Sequence, residues 1–564
     1  MNRKQFFESL IAKNAAQISG DEVNANLQTK TVGRRTNTGI AEYTGTFGDA
    51  ELMHLLRRSL FGVKVSDWKN FQGKSLKTVV DSLLSPTVTQ PNPPINYYGS
   101  VVNDPNVPLG STWVNAPLDP NVEPNRKGGV KAWFWGLTAF QNTDLLQKMV
   151  MFWHNHFAIQ FLEIPDSRAC YTYLKTIHTH ALGNLKTLTK AVTVDPAMLF
   201  YLNGRLNTKA APDENYAREL QELFTVGKGP NSKYTEDDVK QIAKILTGWN
   251  INPLTNPFST AFVSSNHDSK DKVLSSFYGG VTIKGRTGLT AGELELDDLL
   301  TAIFNTDESA LFICRKLYRF FVYYEIDSNT ETNVIAPLAK VFKDSGYDIK
   351  TVLQTLLMSE HFFDNWNRGC VIKDPITHQA GFCRQMEVAF PAPTNYLLHY
   401  QMLGLGQNFG QITQMNYGDP PNVAGWPAWY QEPLYDRSWI NSDTLPKRNQ
   451  FTDYLLYIGH KIGSFTLMAD PWIVVKQFSN PGVADDLINE TVTFLLPQPL
   501  TAAQVASIKA ILLPGGIPDY NWKDEYRAAT TPSDPNYNTA YSSVTSKLKY
   551  MFKFIMNLAE YQLS

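Results

Sequence analysis

The chain has 564 residues, too many for one ordinary hydrophobic core, so its length requires two or more domains or one large helical assembly. Its 51 basic and 53 acidic side chains nearly cancel, to a formal charge of -2, which argues against a nucleic-acid binder working through a broad basic field. No apolar run reaches the roughly 20 residues of a membrane span, and 12% aromatic residues supply ample material for packing.

In chain order, Met1 to Phe7 has the basic opening of an export signal, but Glu8 to Asn14 breaks the apolar stretch that should follow. A secretory signal is therefore not expected; a degenerate leader or a short amphipathic helix is the alternative. Cys170, Cys314, Cys370 and Cys383 lack zinc or CxxC spacing and read as reduced, packed thiols, which favours the cytoplasm. Residues 1–45 are polar and read as an N-terminal tail or arm. Asp49 to Phe61 has helical periodicity and stops at Gly62, with Arg57 and Arg58 suited to a solvated or ion-paired face. The Pro/Asn/Gly-rich stretch 86–126 is too long for a structureless connection and is expected to be an ordered loop over the core, or a lid.

Helices follow over 131–140 and 143–157, the second carrying Trp153-His154-Asn155-His156-Phe157. Histidines at i and i+2 lie roughly 200° apart on a helix, so they cannot share a metal as an i, i+4 pair does. One is expected to face a polar interior and the other to face out. Residues 168–181 and 185–194 read as two more helices. The segment from Pro212 to Gly227 then packs Glu214, Arg218, Glu219 and Glu222 into one helix, stacked along a face, with Leu220, Leu223 and Phe224 on the apolar stripe.

Thr235 with Asp238 resembles a capping box opening a helix through Leu246. Short strands at 261–263 and 280–283 predict a small β-ribbon, whose loop carries His267 and Asp268. Helices are expected at 311–323, 333–344, 349–361 and 376–388. The rigid segment Pro420-Pro421-Asn422-Val423-Ala424-Gly425-Trp426-Pro427 is non-helical; Trp426 suits a buried pin, and Asn422 and Trp426 are the binding candidates there. Residues 447–564 read as helical, with breaks at proline. The fold class is thus mainly α, a large multi-helix assembly with a small β-ribbon insertion. The divisions are the tail over 1–45, a main helical domain over 46–490 with the ribbon near 258–292, and a C-terminal helical extension over 491–564 packed on it.

Leu55-Leu56-Arg57-Arg58, Trp153 to Phe157, Asp195-Pro196-Ala197-Met198-Leu199, Glu214 to Gly227, Leu246-Thr247-Gly248-Trp249, His267-Asp268 and Pro420 to Trp426 occur in this order. Together they resemble the bacterial domain-of-unknown-function 1800 family, from about residue 50 to the C-terminus. The resemblance implies a mostly helical fold and a bacterial source, and carries no assigned reaction. It also implies a partner, a co-encoded phosphatase- or sulfatase-like protein with an export signal, and hence a periplasmic or envelope-associated setting as the alternative to the cytoplasm. The polar positions it stresses are Asn155, His156, Asn203, Glu214, Asn215, Arg218, Glu219, Glu222, His267 and Asp268.

Two functions follow. In the first, His156 and the glutamates do acid–base chemistry with Arg218 as ion-pair partner or anion clamp, or His156, Glu219, His267 and Asp268 hold a divalent or transition metal ion for hydrolysis of an envelope or exported substrate. In the second, Arg218 and its neighbours form an ion-pair network that fixes helix register, and the Pro/Trp loop meets a partner protein.

Overall fold

The computed structural model describes residues 38–87, 90–252, 255 and 258–564. Most of the expected N-terminal tail, and any leader within it, lies outside these residues. The described chain is mainly α-helical, with three two-stranded antiparallel ribbons among the described residues. A contiguous apolar core runs from Leu52 on the first described helix to Tyr561 near the C-terminus.

Helix α1 (Asp49–Ser59) enters that core with Leu52, Met53, Leu55 and Leu56. Arg57 and Arg58 are buried too, which corrects the expectation of a solvated or ion-paired face. Their guanidinium groups instead donate to backbone carbonyls, Arg57 to Thr493 and Phe494 and Arg58 to Asn367. The chain leaves α1 through Gly62, whose φ is +111°; a Cβ there would lie 2.5 Å from the Gly381 Cα. Two backbones touch at this crossing, which only paired glycines permit.

In the 86–126 stretch, residues 90–122 form a loop over the core that runs into the helix starting at Glu123. It buries Trp113 completely and holds Tyr98, Asp104 and Arg126 in one hydrogen-bonded set. Helix α2 (Glu123–Ala139) packs along α3 (Tyr396–Ile412). The helix at Leu146–His156 is buried on nearly every side, so both of its histidines are interior and neither faces out. A helix that is apolar all round sits inside its neighbours rather than on the surface.

The ribbon expectation is corrected in its pairing. Strand β1 (Trp249–Asn252) pairs with β2 (Ser259–Phe262), and β3 (Lys272–Val273) with β4 (Thr282–Ile283), so the two expected strands belong to separate hairpins. A third hairpin, β5 (His460–Ile462) with β6 (Phe465–Leu467), interrupts the region read as wholly helical. The boundary expected at residue 490 falls inside the continuous helix Ala484–Leu495. The C-terminal helix Tyr537–Met556 packs on both sides of that boundary, against Thr444–Asp453 and Ala502–Leu512 alike.

Gly62→Ala is expected to destabilise the protein by roughly 2 kcal/mol or more, from the positive φ and the forced separation from Gly381. Urea unfolding checks this; a midpoint within error of wild type contradicts the tight crossing.

Candidate functional site

The central segment opens where the Asp213 carboxylate accepts the Asn215 amide at 2.8 Å. It winds as an α-helix over Asn215–Glu219 and then as a π-helix over Leu220–Thr225. The uniform helix read from the sequence is corrected here: the wider turns shift every side chain after Glu219 relative to a 100° spacing. Thr225 contributes to the change, its hydroxyl donating to the Leu220 carbonyl at 2.5 Å. Gly227, at φ +80°, ends the element. Such π-turns recur at functional sites and at points of strain.

Arg218 stands among three carboxylates, Glu236 at 2.7 Å, Glu214 at 3.3 Å and Glu222 at 3.7 Å. Lys228 also reaches Glu222, and burial together with that carboxylate raises the Tyr234 phenol. Glu219 is different: it is half-buried, and no hydrogen bond or ion pair ties it to the described residues. Burial raises its carboxyl above the usual range, and the neighbouring Glu222 raises it further. Burial, Glu163, Asp419 and Glu219 together push the Tyr201 phenol up to about 12.

His156 meets the end of the π-turn. Its Nε2 donates to the Phe224 carbonyl at 3.0 Å, and its Nδ1 accepts from the Lys316 ammonium at 3.0 Å. Lys316, on the helix Asp307–Phe321, also donates to the Leu223 carbonyl at 3.2 Å. The imidazole and amine thereby satisfy two carbonyls that a helix end leaves without amide partners. Burial lowers the His156 imidazole well below its ordinary value, with Lys316 adding to the effect. Burial and Arg319 push Lys316 down to about 7. His154, one residue before Asn155, is a core imidazole among Phe134, Phe161, Tyr173 and Trp426, pushed down to about 3 by burial.

Asn155 joins two sequence motifs. Its Oδ1 accepts the Trp426 backbone amide at 2.8 Å, across 271 residues. At Gly425, φ +92°, a Cβ would lie 2.3 Å from that same oxygen, so the close approach needs glycine. Trp426 is buried against Trp429, which packs on Phe320 of the helix that carries Lys316. Asn422 is exposed and shapes the turn: its Oδ1 accepts the Ala424 amide and its Nδ2 donates to Tyr430.

His267 and Asp268 belong to another set. His267 is buried, with Nδ1 2.9 Å from the Thr247 carbonyl and Nε2 3.0 Å from Glu295. Glu295 also accepts from Lys272 at 2.6 Å and from the Arg286 amide at 2.6 Å. Burial pushes the Glu295 carboxyl up, but His267, Lys272 and the Arg286 amide outweigh it and hold the group below the usual range. The Asp268 amide donates to Thr247, and its carboxylate accepts from the Lys270 amide. Asn203 is exposed in the left-handed region, and Asn215 donates weakly to the Leu202 carbonyl at 3.5 Å.

The sequence-predicted residues thus fall into two groups with no shared partner, His156 with the central segment and His267 with Glu295. Of the expected metal set, His156 and Glu219 belong to the first group and His267 and Asp268 to the second. Both nitrogens of each imidazole face protein partners, and no three His, Cys, Asp or Glu side chains gather around a metal-sized point among the described residues. Sequence reasoning missed Lys316, Glu236, Lys272 and Glu295. Glu236 directly follows the Thr235 cap, and the others carry no local mark in the sequence.

Residues 54–563 match the family described as "Protein of unknown function (DUF1800)". The chain belongs to that family. No curated protein and no solved structure matches it. The match spans both polar groups of this DUF1800 protein and the loop that docks on Asn155.

Glu295→Ala in this DUF1800 protein leaves Lys272 buried without its carboxylate and is expected to cost about 3–5 kcal/mol. The folded carboxyl lies below its ordinary 4.5, so its contribution is complete above that value and is lost as pH falls through the lower folded value. Acid unfolding of Glu295→Gln is therefore expected to be shallower than wild type. Parallel pH titrations of chemical stability provide the check, and identical slopes contradict it.

Proposed function

We propose that this DUF1800 protein is a non-catalytic assembly protein whose Pro/Trp loop forms part of the surface that meets a partner. The observation that carries this reading is how the polar side chains are used. Arg218 pairs with Glu214, Glu222 and Glu236, His156 holds the end of the π-turn, and Asn155 holds the loop. Each fixes one segment against another, the work expected of an ion-pair and capping network that sets register. Beside the loop, Leu162 is 71% exposed, and Asp419 accepts its amide at 2.8 Å. Tyr430 and Leu434 are also exposed, so the loop presents apolar groups to solvent where a partner can cover them.

The partner proposed is the phosphatase- or sulfatase-like protein implied by the family resemblance, in the cell envelope. Co-expression and affinity capture of the two chains test it. Leu162→Asp with Tyr430→Ala is expected to abolish capture while leaving the melting temperature within about 2 °C of wild type, as for surface changes. Capture that survives the double substitution contradicts the surface.

A second reading rests on Glu219, a half-buried carboxyl with a raised pKa beside the ion-paired Glu222. Two acids held in unlike environments are how acid–base pairs are built. Hydrolysis of chromogenic phosphate, sulfate and ester substrates, lost in Glu219→Gln, supports an acid–base hydrolase acting on envelope or exported substrates. Turnover equal in wild type and Glu219→Gln removes it.

A further inference from the structure

A cavity of about 640 Å³ opens between α1, the segment 365–368, the helix Ala484–Leu495 and the turn that follows it. This is within the range of small-molecule sites. Its polar lining includes Arg57, Arg368, Asn365, Asn489 and Gln498, and it contains no Asp or Glu. Met53, Val492, Leu496 and Leu500 supply much of the apolar wall.

Arg57 is the unusual member. It is 9% exposed, and no carboxylate pairs with it among the described residues. Its Nη2 donates to the Thr493 and Phe494 carbonyls, its Nε has no partner, and its Nη1 makes no hydrogen bond within the described residues. Carbonyls at a helix C-terminus supply only partial negative charge, so most of the guanidinium charge is left uncompensated. Arg368 differs, since Glu51 accepts from it at 2.7 Å. Lys373 feels Arg57, Arg448 and Lys148, and Asp374 is the acid that acts on Lys148 and Arg448.

We propose that this cavity binds a small carboxylate with an apolar body, its carboxylate on Arg57 and its body against Met53, Val492, Leu496 and Leu500. One unpaired guanidinium matches one negative charge, and its Nη1, the nitrogen neither spent on the carbonyls nor fully buried, is the donor for a carboxylate oxygen. The neutral amides of Asn365, Asn489 and Gln498 provide further donors without adding charge. A dianionic phosphate would require a second free cation, which Arg368 does not supply because Glu51 neutralises it.

Calorimetric titration of the full chain with octanoate, octanol and octyl phosphate tests the assignment. Octanoate is expected to bind saturably at one site. Octanol and the Arg57→Met variant are each expected to weaken binding by roughly 10- to 100-fold, the range of a lost charged hydrogen bond. Because Arg57→Met also removes donors to two carbonyls, Val505→Trp, which fills the cavity and leaves Arg57 in place, is titrated beside it and is expected to abolish binding. Absence of octanoate binding, octanol binding as tightly as octanoate, or binding retained in Val505→Trp overturns the proposal. Octyl phosphate binding tenfold more tightly than octanoate overturns the carboxylate assignment.

Discussion

A helix that ends inside a protein leaves carbonyls that must find donors, and the central segment ends that way at Leu223 and Phe224. Their donors are Lys316 and His156, which come from two other helices and also bond to each other. This contact joins the helix Leu146–His156, the π-turn and the helix Asp307–Phe321. The Pro/Trp loop is then held from two sides, by Asn155 on the first helix and by Phe320 against Trp429 on the third. Loss of the donors would leave two buried carbonyls unsatisfied, each costing about 1–3 kcal/mol.

The same device appears with cations elsewhere in the core. Arg384 donates to the Gly62 and Gln141 carbonyls, Arg448 to the Lys373 carbonyl, and Lys373 to the Tyr561 carbonyl. Arg58 donates to the Asn367 carbonyl. Burying a cation costs several kcal/mol, which carbonyl dipoles offset only in part. Backbone from distant parts of the chain is thereby tied to fixed side chains. Arg384 reaches Asp67 as well, whereas Arg57, like Lys373, has carbonyls alone.

Periodicity made the helices legible, because their apolar stripes are local facts of sequence. Thr235 and Asp238 form the capping box read from their spacing, and residues 90–122 of the Pro/Asn/Gly-rich stretch lie as a loop over the core. The π-turn was hidden because its sequence is an equally good α-helix; the wider winding is settled by what meets its end. Strand β1 was hidden because its four residues follow a helix directly and gain their partner ten residues later. In the polar groups, Arg218 with Glu214 and Glu222 was readable from i, i+4 spacing. His156 with Lys316 and His267 with Glu295 were not, since the partners lie 160 and 28 residues away and carry no spacing rule. The burial of Arg57 and Arg58 was missed for a related reason: a charged pair at a helix end reads as solvated unless its carbonyl acceptors are known.

Those acceptors have a consequence for biosynthesis. The Thr493 carbonyl that receives Arg57 is made 436 residues after it. At roughly 5–20 residues per second, the first described helix waits tens of seconds on the ribosome before its arginine can be enclosed. Over that interval Leu52, Met53, Leu55 and Leu56 lack the helix that later covers them, and the nascent chain presents an apolar strip beside two guanidinium groups.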